Sequence, residues 1–148
     1  MPNSILVSLN DSVSSRAVVD YLAKLAFCPE DWHITLLHVF RGSSASEELM
    51  GKKFTEELPV RYRAVLEKAR DKLIESGFKP EHIEIKLVTE PYQTVAEGII
   101  DQCKKKQCNL VVIGRKKMSK AEEFVLGDVS VKLVRALGGA AVLVVKSE

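Results

Sequence analysis

The feature that most restricts how this chain can fold is an alternation. Short β-forming apolar runs at residues 5–9, 34–40, 83–88, 110–113 and 142–145 are separated by stretches with helical spacing. After the first run, Asn10, Asp11, Ser12, Ser14 and Ser15 supply the side-chain oxygens that end a strand and cap a helix, and Val18, Val19, Leu22, Ala23, Leu25 and Ala26 then recur at helical spacing. A second helix is carried by Tyr62, Val65, Leu66, Ala69, Leu73 and Ile74 and closed by Gly77, with the polar segment 43–55 before it expected as an exposed connection. The run at 83–88 alternates strictly, as a strand near a sheet edge does. Pro91 is expected to stop it before a third helix over about 94–106. Val129, Leu133, Val134 and Leu137 give the last helix its apolar face.

Strands that alternate with helices at these separations imply a parallel sheet, right-handed crossovers and helices on both faces. The expected architecture is α/β: a three-layer, doubly wound, five-stranded parallel sheet in the order 3-2-1-4-5. Connections reverse direction between strands one and four, so a ligand crevice should open beyond their carboxyl ends, where Asn10 and Gly114 lie. A chain of 148 residues with no repeat or linker reads as a single domain over 1–148.

The stretch Leu110-Val111-Val112-Ile113-Gly114, then a basic loop, then Leu126-Gly127-Asp128 at a helix start, has the geometry of an anion cradle. Asp128 contradicts it. A carboxylate about 5 Å from one phosphate charge, at an effective dielectric of about 20, repels it by roughly 3 kcal/mol. The plainer reading of Asp128 is an N-cap for the last helix. Gly114 and Gly127 read equally as ligand contacts or as bare turn geometry.

These residues, in order and spacing, resemble the universal stress protein family of the UspA type. The resemblance rests on Ile5-Leu6-Val7 with Ser12 and Ser15 after it, Leu36-Leu37-His38-Val39, Pro91, Leu110 to Arg115, and Leu126-Gly127. It implies an adenine-nucleotide-hydrolase-like fold and ATP or AMP as the ligand class. It assigns Asn10 and Val39 to the adenosine side, and Gly114 and Gly127 to ribose and phosphates. The family's nucleotide loop reads G-x-x-G-x9-G-(S/T). Here Lys117 takes the second Gly position, Asp128 replaces the Ser or Thr, and Asn10 stands where an Asp is usual. A side chain at a position that needs positive φ costs on the order of 1–2 kcal/mol. The resemblance therefore points to a non-enzymatic stress-response regulator or interaction module with a degenerate nucleotide pocket and weak or no ATP binding. A working ATP or AMP sensor, with weak ATPase activity at most, is the alternative.

Other signals exclude more than they assign. No Walker loop, nucleophile elbow, H-E-x-x-H or paired acid and base is present, so no catalytic residue is named. His33, His38 and His82 lack metal-ligand spacing, and no metal is expected. Cys28, Cys103 and Cys108 fit packing roles in a reducing compartment better than a disulfide framework. With 22 basic against 20 acidic residues and no membrane-spanning run, the expectation is a cytoplasmic protein without a membrane or nucleic-acid partner. The Lys104-Lys105-Lys106 run reads as a solvated helix end, and Tyr92 and Ser130 as isolated hydroxyls. The apolar last strand lies at a sheet edge, which invites a homodimer through it, as is common in the family, and output would pass to protein partners of unknown identity.

Overall fold

The computed structural model describes residues 3–10, 12–25, 29–41, 52–116 and 129–147. Five strands, β1 (Asn3–Ser8), β2 (Trp32–Arg41), β3 (Ile83–Tyr92), β4 (Leu110–Lys116) and β5 (Ala141–Ser147), form one parallel sheet in the order β3-β2-β1-β4-β5. The helices between them are α1 (Val13–Lys24), α2 (Lys52–Glu75), α3 (Val95–Lys106) and α4 (Val129–Ala136). Fold class and strand order are those expected from the alternation.

The period-two rule sorts the strand side chains into two cores. Ile5, Val7, Ile34, Leu36 and Val112 face α1 and α2, where Val18, Leu22, Leu66 and Leu73 cover them. Leu6, Leu37, Val39, Val111 and Ile113 face α3 and α4, where Ile99 and Leu133 cover them. Strand β1 is central, and its Ile5, Leu6 and Val7 are fully buried because both faces of a doubly wound sheet are covered.

Four local expectations need correction. The β3 strand runs through Pro91 to Tyr92 instead of stopping there, with a register shift against β2 between Val39 and Arg41. As an edge strand β3 has no ladder on its outer side, so a missing N–H is tolerated. Helix α2 begins at Lys52, within the segment expected as a connection, and contains Pro59. Val134 points outward on α4, 64% exposed, while Leu133 is buried. Finally, Cys103 and Cys108 are joined in a disulfide and are not free packing residues. Gln107, in the left-handed region at φ 51°, turns the chain back at the end of α3, and this brings the two Cα atoms to 5.2 Å.

Candidate functional site

The carboxyl ends of β1, β2 and β4 converge with the N-termini of α1 and α3 on a crevice of about 130 Å³, and Asn10, Val39, Gly114, Ser15 and His38 contribute to its lining. The expected residues Asn10, Val39 and Gly114 are thus brought together at the switch point. Lys117, Gly127 and Asp128 lie outside the described residues, as does Cys28.

Asn10 leaves β1 and is locked to the first turn of α1. Its backbone N–H donates to Ser15 Oγ at 2.8 Å, and the same hydroxyl donates back to Asn10 Oδ1 at 2.8 Å. Ser12 caps α1 by accepting from Ser15 N–H at 3.2 Å, and its hydroxyl lies 3.0 Å from that of Ser14. The carboxamide oxygen that would receive a ligand's donor is already an acceptor within the protein.

Gly114 is explained by packing. A Cβ built there would stand 2.6 Å from the Ser14 carbonyl oxygen and 3.0 Å from Val18 Cγ2, so β4 and α1 approach closer than any side chain permits. Val39 is similarly enclosed. It is buried, and a Cβ at Gly98 of α3 would fall 2.6 Å from Val39 Cγ1. The glycine in α3 therefore lets the helix close directly over this valine.

His38 is a crevice residue to which the sequence assigns no role beyond its place in the Leu36-Leu37-His38-Val39 strand. Its Nδ1 lies 2.8 Å from the Leu9 carbonyl. A carbonyl only accepts, so Nδ1 carries the proton and the neutral ring presents Nε2 as an acceptor. The ring stacks on Tyr62 of α2 with centroids 3.8 Å apart and an 8° tilt, and meets the edge of Phe40 at 4.6 Å. Burial holds its pKa below the ordinary histidine value, partly opposed by the Leu9 hydrogen bond. The available signal was His38 two residues before Phe40, which puts both rings on one face of β2.

Tyr92 is not an isolated hydroxyl. It donates to Asp101, with Glu90 2.8 Å away and Gln102 Nε2 at 3.4 Å. The bond to Asp101, with burial next, pushes the phenol up to about 12. Gln102 is fully buried and accepts from Lys86 at 2.7 Å. The lysines at the end of α3 join the same seam: Lys105 pairs with Asp101 at 3.1 Å and Lys106 with Glu84 at 2.8 Å. This seam fastens α3 to the edge strand β3. Among the described residues no group of three or more His, Cys, Asp and Glu side chains is placed to hold a metal ion.

With this geometry in place, the family model of the Universal stress protein family matches residues 1–146. The chain belongs to that family. Solved universal stress proteins share its fold at low identity. One in complex with cAMP is 18% identical with a TM-score of 0.66, covering 97% of this chain and 95% of the other. A family member from Burkholderia pseudomallei is 21% identical with a TM-score of 0.66, covering 98% and 96%. The Archaeoglobus fulgidus protein in complex with dAMP is 15% identical with a TM-score of 0.61, covering 99% and 98%. A comparison with curated protein sequences finds no match.

Proposed function

We propose that this universal stress protein is a non-enzymatic, cytoplasmic stress-response regulator whose nucleotide crevice is degenerate, with weak or no ATP binding and output through partner proteins. The observation that carries this reading is the crevice itself. About 130 Å³ lies well under the roughly 300 Å³ at which small-ligand pockets begin. The groups that the family resemblance assigns to adenosine are committed elsewhere: Asn10 Oδ1 to Ser15, and Val39 to its close approach with α3. The sequence adds Asp128, whose carboxylate repels a phosphate, and Lys117, whose side chain stands at a glycine position of the loop. No helix among the described residues is long and apolar enough to cross a membrane. Two of the three lysines at the end of α3 already face carboxylates, which supports an output other than nucleic acid.

The second reading is an adenine-nucleotide sensor, favoured by related structures solved with cAMP and with dAMP. A thermal-shift titration with ATP, AMP and cAMP separates the two, because a ligand at 100 times its Kd adds about 2.7 kcal/mol to stability. The degenerate-pocket reading expects no saturable shift with the native chain, and a gain in ATP binding for the Lys117→Gly, Asp128→Ser double variant. A saturable shift in the native protein establishes the sensor instead.

A further inference from the structure

A second cavity lies on the other side of the Asn10–Ser15 pair, between α1 and α2. It measures about 390 Å³, three times the crevice, and falls within the usual range for small-ligand sites. Its floor is apolar: Leu9, Val19 and Ala69 are buried core residues that present their surfaces into it. Its rim is built from two pairs spaced one helical turn apart, Arg16 and Asp20 on α1 and Lys68 and Lys72 on α2. Lys72 is neutralised by Asp20, with which it forms an ion pair across the groove. Arg16 and Lys68 have no carboxylate within ion-pairing distance among the described residues, so the rim holds positive charge above an apolar floor.

We propose that this groove is a ligand site for a small organic monoanion, one with an apolar aryl or medium-chain acyl body and a single carboxylate or sulfonate head. The body would displace water from the Leu9, Val19 and Ala69 surface, which is the favourable hydrophobic term. The head would lie between Arg16 and Lys68, where two cations act on it and its own solvation is largely retained. A nucleoside polyphosphate fits poorly. Among the described residues no aromatic side chain lines the cavity to stack a base, and two cations, Arg16 and Lys68, do not balance the several negative charges of a polyphosphate. The assignment does not depend on whether the crevice takes a nucleotide.

The test uses the full chain, with anilinonaphthalene sulfonate as a fluorescent probe and decanoate as competitor. The expected result is saturable one-to-one binding of the probe, displaced by decanoate but not by inorganic phosphate or ATP at the same concentration. Reversing charge with Arg16→Glu and Lys68→Glu together should weaken binding by about tenfold or more, since each lost charge contact is worth on the order of a few-fold to tenfold. Val65→Trp, which fills the groove from α2, should abolish it. Both charge-reversal sites are exposed, so that variant keeps the test valid if the tryptophan variant does not fold. Absence of probe binding, affinity unchanged in the charge-reversal variant, or displacement by phosphate as effective as by decanoate overturns the assignment.

Discussion

A single glycine shows how packing and ligand binding compete to explain the same residue. Gly114 stands at the first glycine position of the nucleotide loop, yet the Ser14 backbone 2.6 Å from its missing Cβ is sufficient reason for it. Ser14 O belongs to the backbone of α1, so it cannot rotate away as a side chain can. Gly114→Ala is therefore expected to destabilise the fold by about 1–3 kcal/mol, read as a lower urea midpoint at unchanged slope, with no nucleotide present. An alanine variant as stable as the native chain would return Gly114 to a ligand role. His38 makes a pH-dependent prediction at the same scale. Its pKa is lowered in the folded state, so between that value and 6.5 the unfolded chain binds a proton that the folded one refuses. Its contribution to stability is thus complete above pH 6.5 and declines as pH falls through the lowered value. Urea midpoints between pH 7.5 and 5 should fall in the native protein, and the fall should be shallower in His38→Asn; equal slopes exclude His38 as its source.

At the scale of elements, the end of α3 combines a helix stop, a left-handed residue and a covalent link. Cys108 N–H donates to the Cys103 carbonyl at 3.2 Å, the hydrogen bond of a Schellman-type stop, and the disulfide closes the same six-residue loop. A loop this short restricts the unfolded chain modestly, so reduction should cost about 2 kcal/mol. Chemical denaturation with and without dithiothreitol measures it, and the Cys103→Ser, Cys108→Ser variant should show the loss with no further response to reductant. Coincident oxidised and reduced curves would remove the bond from any role in stability. The same turn shows where sequence reading stops. Strand and helix periods are local, so the sheet, its order and the meeting of Asn10 with Gly114 are legible in the sequence, while Val39 enters only through the family resemblance. The cysteine spacing matches no known motif, and only the left-handed turn at Gln107 brings the sulfurs together. Pro91 does not end β3, because a proline interrupts a central strand but not an edge strand, and the alternation at 83–88 together with the strand order already places β3 at the edge. The N-terminal turns of α2 were missed because residues 52–55 carry no apolar periodicity to announce them. In the site, Ser15 and His38 are visible in the sequence but their roles are not, because these come from their partners, the Asn10 amide and the Tyr62 ring.

For the molecule as a whole, the unfinished surface is the β5 edge. β5 pairs with β4 along its whole length, from Leu110–Ala141 to Lys116–Ser147, and stands last in the sheet order, so among the described residues no strand pairs with its other side, and we propose that a second copy of the chain does. Beside it, α4 exposes Val131 and Val134, apolar side chains that single-chain packing does not use. Two copies related by a two-fold axis would place identical β5 strands antiparallel, extend one sheet through both chains and cover these valines. On this proposal light scattering should return twice the 16.5 kDa chain mass. Val144→Pro removes a backbone donor from β5 and is expected to yield monomers or unfolded chain. Val134→Lys separates those outcomes, because its site is exposed and a charge there leaves the core intact while opposing association. The expected result is a folded monomer by circular dichroism and mass, with the native urea midpoint at low protein concentration. If both variants hold the mass of the dimer, the chains associate through another face and the β5 edge is protected by some other means.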